Sequence, residues 1–205
     1  MTPSVATRPA QPRPRARPAR DAAIVAWRPI PTPLGDFVLA IDELGRLRSG
    51  WQRAGWPVPT NAAAPRSRGA QAGADRRRDD LLESVAVRLA RYFDGESIRF
   101  EDLPVPEGTP FQRACWSAAR SLPYGATISY AELARRAEAP GAARAAGQAM
   151  RRNPLPIIVP CHRIVASGGA LHGFAGSTDP EGIELHQKRW LLELESRAKR
   201  GARGT

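Results

Sequence analysis

The chain is 205 residues long, 42% hydrophobic and 25% charged, enough for one compact domain or two small ones that share an interface. Its 31 Lys and Arg against 20 Asp and Glu leave a formal net charge of +11, which favours a polyanionic partner such as nucleic acid. Two cysteines without a secretory apolar leader argue against a disulfide scaffold and a four-cysteine zinc site and for a reducing, cytoplasmic setting, and no apolar run approaches the roughly 18 residues of a membrane span.

Residues 1–22 alternate Pro, Arg and Ala, a composition that cannot bury enough apolar surface to offset chain entropy, so this tail is expected to be disordered. Arg8, Arg13, Arg15, Arg17 and Arg20 lie in it, and Arg197, Lys199, Arg200 and Arg203 load the other end, 197–205, so much of the net charge belongs to tails. Order is expected from near Ile24. Leu34 to Ile41 and Arg46 to Trp51 read as two strands joined by the Asp42-Glu43-Leu44-Gly45 turn, with Trp27 in an earlier strand. Ala54 to Arg78 is rich in Pro, Gly, Ala and Arg without periodicity and reads as a long mobile loop. From Asp79-Asp80 onward, Leu81, Val85, Leu89 and Phe93 recur every fourth residue up to Gly95, which predicts one amphipathic helix packed on the sheet.

In the second half, Thr109-Pro110 opens a helix with Phe111, Cys115 and Ala119 on one face, ending before Pro123-Tyr124-Gly125. Ser129-Tyr130-Ala131-Glu132 has the form of a capping box and starts a short helix to about Glu138. Ala139-Pro140-Gly141 breaks it, and Ala142 to Arg152 resumes as a helix of small residues, giving helix-turn-helix spacing. Small residues there let a backbone approach a partner closely, with Arg144, Arg151 and Arg152 as flanking charge for phosphates; tight packing on a neighbouring helix accounts for the same composition.

The run Asn153-Pro-Leu-Pro-Ile-Ile-Val-Pro-Cys161-His162-Arg163 carries the chemistry. Its three prolines disfavour helix and suit an extended approach to the thiol. A thiol reacts as its thiolate, and His162 directly after Cys161 could accept the proton if a buried carboxylate orients the ring. The closing helix, with Trp190, Leu191 and Leu194 on its apolar face, offers Glu193 and Glu195, between which the residues alone do not choose. Cys115 reads as core, and His172 and His186 read as solvated, with no metal cluster beside them.

These features together resemble the O6-alkylguanine-DNA alkyltransferase family, whose signature has the form Ile/Val-Pro-Cys-His-Arg-Val/Ile. Phe111-Gln112-Arg113 with Trp116, the Pro123-Tyr124-Gly125 turn, Ser129-Tyr130, Ala143-Arg144-Ala145, Asn153-Pro154, Gly173-Phe174-Ala175-Gly176 and Lys188-Arg189-Trp190-Leu191-Leu192 occur in the family's order. The resemblance implies an α/β protein: a small ribonuclease-H-like sheet domain over 23–105, then a mainly helical DNA-binding domain over 106–196 with a helix-turn-helix and an active-site Pro-Cys-His-Arg loop. It implies direct reversal of O6-alkylguanine, and possible reach to O4-alkylthymine, by single-turnover transfer of the alkyl group to Cys161. His162, backed by Glu195, would deprotonate the thiol; Tyr130 would donate to the departing guanine; Asn153 would tether the turn. Arg144 would enter the base stack, and Ala143, Ala145, Gly147, Gln148, Arg151, Tyr130 and Gln112 would meet a minor groove. Phe174, Ala175, Val165 and Ser167 would line the base pocket. The implied partner is double-stranded DNA, bound by a monomer without metal, small-molecule cofactor or membrane.

Some positions depart from relatives. Phe174 stands where some have Tyr, Ala175 where some have Ser, and Gln148 where some have Gly, while 177–187 makes a longer connection to the final helix. Two other classes remain as rivals: a DNA-binding regulator that merely buries Cys161, and a cysteine hydrolase with repeated turnover.

Overall fold

The computed structural model describes residues 22–52, 72–169, 171 and 182–201. Residues 1–21 of the Arg/Pro-rich tail, the 54–71 part of the expected loop, His172, Phe174 and Ala175 therefore lie outside the described residues. Three antiparallel strands open the chain: β1 (Ile24–Ile30), β2 (Phe37–Asp42) and β3 (Leu47–Trp51), in that spatial order. β2 begins at Phe37 rather than Leu34, because Thr32 to Gly35 forms a turn closed by Gly35 N–H donating to the Thr32 carbonyl at 3.0 Å, with Gly35 at φ +93°. Phe37, Leu39 and Ile41 alternate onto one sheet face and are buried there.

Helix α1 (Ala72–Phe93) lies against that sheet and starts well before Asp79, so the final residues of the expected loop, 72–78, are helical. Its buried positions are Leu82, Val85, Leu89, Tyr92 and Phe93, while Leu81 is 37% exposed. A repeat of four drifts about 40° per step around a 3.6-residue helix, so the true stripe follows the 3-4-3 spacing from Leu82 to Tyr92.

The second half is mainly helical: α2 (Pro110–Arg120), α3 (Tyr130–Arg136), α4 (Ala143–Arg151) and α5 (Ile183–Gly201). A reciprocal capping box does occur, but at α2: Thr109 caps the Gln112 amide at 3.3 Å and the Gln112 side chain accepts from Thr109 N–H at 3.0 Å. At α3 only the Ser129 half is made, its hydroxyl accepting from Glu132 N–H at 3.1 Å. The Glu132 carboxylate instead binds Arg135 and Arg136, each at 2.7 Å. α3 and α4 pack together and on α2 in helix-turn-helix order, with Glu138 at φ +59° in the turn. α5 takes up Ile183 onward from the expected connection, leaves His186 exposed, and continues to Gly201 through part of the segment expected as a basic tail.

Two ties that spacing did not reveal fix the cysteine segment in place. Strands β4 (Ile128–Ser129) and β5 (Ile164–Val165) form a short parallel ladder between the start of α3 and the residues after Cys161. On the other side, Ser49 of edge strand β3 donates its N–H to the Pro154 carbonyl at 3.1 Å and its hydroxyl to the Pro156 carbonyl at 3.0 Å. An edge strand that would otherwise expose unpaired amides is thereby covered by the approach to the thiol.

Candidate active site

The backbone from Asn153 to Cys161 is bent by its own chemistry. Asn153 Nδ2 donates to the Val159 carbonyl at 2.8 Å and Oδ1 accepts from Leu155 N–H at 3.0 Å, so one amide clamps both ends of the bend. Ile157 sits at φ +73°, a conformation that costs a β-branched residue about 1–3 kcal/mol and persists because its surroundings fix it. Pro160, at φ −79° and ψ 69°, is the centre of an inverse γ-turn closed by Cys161 N–H to Val159 carbonyl at 2.8 Å. The ring thus presets the angle that delivers Cys161, His162 and Arg163 into a single 3-10 turn.

All three of those side chains are buried, with Cys161 only 6% exposed. His162 Nε2 lies 2.9 Å from Glu195 Oε1. Arg163 forks onto the same carboxylate, Nε to Oε2 at 3.0 Å and Nη2 to Oε1 at 2.8 Å, and spends Nη1 on the Leu122 carbonyl at 2.8 Å. Gly125 N–H donates to Glu195 Oε2 at 2.8 Å, bringing the Pro-Tyr-Gly turn into the cluster. Burial alone would raise the Glu195 carboxyl, but His162 and Arg163 outweigh it and hold the group well below the usual carboxylate range. Glu193, the other candidate, is on the outer side of α5 beside Arg197 at 3.3 Å.

The state of His162 follows. Burial pushes its pKa below the ordinary 6.5, against the pull of Glu195, so the ring is neutral at neutral pH. An ionised Glu195 only accepts, so Nε2 carries the hydrogen and Nδ1 keeps a lone pair. That Nδ1 is buried and has no hydrogen-bond partner among the described residues, which makes it the unspent proton acceptor of the cluster. Cys161 needs one: burial raises its pKa, and a hydrogen bond with Asn153 and the charge of Lys188 oppose that rise without overcoming it. The thiol is therefore protonated at rest and ionises by handing its proton to a base.

Lys188 had a place in the family pattern but no role read from sequence. It is fully buried, donates to the Ile164 carbonyl at 2.6 Å and stands 5.9 Å from the Tyr130 ring centre. Burial draws it down to about 8, with the Cys161 charge opposing. Tyr130, first residue of α3, is pushed up to about 12 by burial and then by Cys161, so it stays a phenol that can donate. Lys188 and Glu195 stand two turns apart on α5, at i and i+7, with Leu191 between them on the same face, and this spacing is the sequence signal that both face inward.

The residues expected at DNA divide by side. On α4, Arg144, Ala145, Gln148 and Arg151 are exposed, Ala143 and Gly147 are half-buried, and Ala146, Ala149 and Met150 face the core. Ala146 and Ala149 thus meet the packing reading of the small residues, and Ala145, Ala143 and Gly147 lie on the less buried side of the same helix. Gly147 faces the Tyr130 ring, where an added Cβ would make ordinary contact at 3.8 Å. Gln112 is half-buried, with its side-chain oxygen engaged in the α2 cap. Val165 is buried in β5, and Ser167 is exposed in the turn that follows. Cys115 is fully buried in the core, as expected.

Comparison with known proteins points one way. A family model described as 6-O-methylguanine DNA methyltransferase, DNA binding domain, matches residues 110–197. The constitutive methylated-DNA–protein-cysteine methyltransferase of Bacillus subtilis is 38% identical over 165 residues, covering 80% of this chain and 91% of that protein. The Mycobacterium leprae protein of the same name is 37% identical over 179 residues, covering 84% and 93%. The Haemophilus influenzae one is 46% identical over 122 residues, and there the match spans 64% of the relative's length. The crystal structure of Mycobacterium tuberculosis OGT in complex with DNA superposes with a TM-score of 0.61 at 33% identity, covering 84% of this chain and 93% of that one.

Proposed function

The chain belongs to the methylated-DNA–protein-cysteine methyltransferase family, and we propose that it repairs O6-alkylguanine in double-stranded DNA by moving the alkyl group, once per molecule, onto Cys161. The observation that carries this reading is a buried, protonated thiol one residue from a neutral imidazole whose Nδ1 is unspent and whose Nε2–H is held by a buried carboxylate.

In the proposed reaction the damaged base is turned out of the stack beside Cys161, because an atom inside a duplex cannot be reached. The thiol proton passes through a water to His162 Nδ1, and the freed sulfur pair forms the new S–C bond as the C–O6 bond breaks. The electron pair of the broken bond enters the guanine ring, where the Tyr130 hydroxyl meets the developing charge; the proton held on His162 restores neutrality. The product thioether has no ready hydrolytic exit, so the protein is consumed. Lys188, beside Cys161, favours the thiolate in passing.

The exposed side of α4 is the surface proposed for the minor groove, with Arg144 filling the place of the extruded base and Arg151 on phosphate. Phe174, Ala175, Val165 and Ser167 are retained from the resemblance as walls of the base pocket. The β1–β3 sheet with α1 is read as the family's ribonuclease-H-like domain over 23–105, ahead of the DNA-binding domain over 106–196. Reduced cysteine chemistry suits a cytoplasmic setting.

The test is stoichiometry on a duplex carrying O6-methylguanine. Restored guanine should stop at one equivalent per protein. Continued turnover would mark a hydrolase or another catalyst, and tight binding without restoration would mark a DNA-binding regulator.

A further inference from the structure

Tyr92 belongs to α1, the helix that packs on the N-terminal sheet, yet its hydroxyl ends at Glu195 and His162. It is 1% exposed. The hydroxyl donates to Glu195 Oε1 at 2.8 Å and lies 3.3 Å from His162 Nε2. Its ring meets Tyr124 edge-on at 5.8 Å and the imidazole at 6.5 Å between centres. Since the Tyr92 proton goes to Glu195, its oxygen faces the His162 Nε2–H as a second acceptor, and the three groups close a triangle.

We propose that Tyr92 is a positioning residue for alkyl transfer: from the N-terminal half it locks Glu195 and the Nε2–H of His162 in register, so that Nδ1 is the ring nitrogen offered towards the thiol. The proposal rests on Cys161 being the alkyl acceptor. Without the hydroxyl, Glu195 Oε1 keeps only His162 and Arg163, and its charge, no longer shared with a phenol, falls more heavily on the imidazole. The groups acting on that ring are Glu195 and Lys188 from α5, Arg163 from its own turn and Tyr92 from α1, while Tyr124, from the turn after α2, stands against Tyr92 and Arg163. Of these only Tyr92 changes in a phenylalanine variant, so His162 becomes easier to protonate.

Single-turnover transfer from an O6-methylguanine duplex, measured against pH with the full-length protein, tests this. Tyr92→Phe should slow transfer about ten-fold at neutral pH, the order lost when an orienting hydrogen bond behind a functional histidine is removed. It should also move the acid limb of the rate profile to higher pH while leaving duplex affinity unchanged. Val85→Ala, a core truncation on the same helix, controls for stability and should leave the limb in place. The Glu195→Gln and double variants complete a cycle in which the Tyr92→Phe effect shrinks once Glu195 is gone. An unchanged rate in Tyr92→Phe, a slowing without a limb shift, or full additivity with Glu195→Gln would overturn the proposal. Failure of the parent protein to alkylate Cys161 at all would instead remove the underlying reading.

Discussion

Asp42, at the end of β2, and Glu195, in α5, are both completely buried carboxylates on arginine, and they differ in what else is present. Asp42 Oδ2 binds Arg46 at 2.8 Å and Arg48 at 3.5 Å, and Oδ1 accepts the Leu44 and Arg46 amides at 3.0 Å. Those partners lie within the β2–β3 hairpin, so the ion cluster closes a turn. Glu195 gathers groups from three separate parts of the chain: Tyr92, Gly125, and the adjacent His162 and Arg163. One of them, the chain neighbour of Cys161, retains an unspent nitrogen. A buried ion pair is thus structural by itself, and it becomes chemical when it sets the tautomer of a base.

The comparison breaks first at Glu195. Glu195→Gln keeps the shape but removes the charge that fixes Nε2–H, and transfer to Cys161 should fall by about 10²-fold in single-turnover kinetics. If that variant repaired at the parent rate, the two carboxylates would be equivalent after all. Acid is the next lever. The folded His162 refuses a proton below its ordinary 6.5, so the rate should drop about ten-fold per unit once the pH falls through its lowered pKa. Stability follows the same sign. The unfolded chain binds protons at His162 below 6.5 and at Glu195 below 4.5 that the folded chain rejects, so both contributions are complete above those values and disappear on acidification. Thermal unfolding against pH would show the melting temperature declining from 6.5 downward.

Away from the cluster, Arg144→Ala should slow repair of duplex about ten-fold at moderate salt and leave the acid limb unmoved, which stopped-flow on a labelled duplex would read. Asp42→Asn sits at the far end. It should lower stability by about 2 kcal/mol in denaturant titrations, since the hairpin arginines remain partly hydrated, with the transfer rate unchanged.

Much of this site was legible because it is local. Cys161, His162 and the prolines before them are neighbours in sequence, and the α3–α4 pair announces itself through a cap, a Pro-Gly break and helix lengths. What was not legible is what arrives from a distance. Glu193 and Glu195 are equally acidic in the sequence, and only the inward stripe that buries Lys188, Leu191 and Glu195 separates them. A fourfold repeat ending at Phe93 leaves Tyr92 out, whereas the 3.6-residue period brings both neighbours inward. Ser129 and Glu132 stand at capping-box spacing, but two arginines on the same helix outcompete the backbone for that carboxylate. The first turns of α1, from Ala72 to Arg78, carry Gly, Ala, Asp and Arg without apolar period, so the sequence does not mark them and their helicity comes from propagation of the packed part.

The most direct measurement is peptide mass spectrometry of the protein after reaction with an O6-methylguanine duplex, with Cys161→Ala as control. One added methyl on the peptide carrying Cys161, none on Cys115 and none in the control, is the predicted result. An unmodified Cys161 in a sample whose duplex has been repaired would contradict the account.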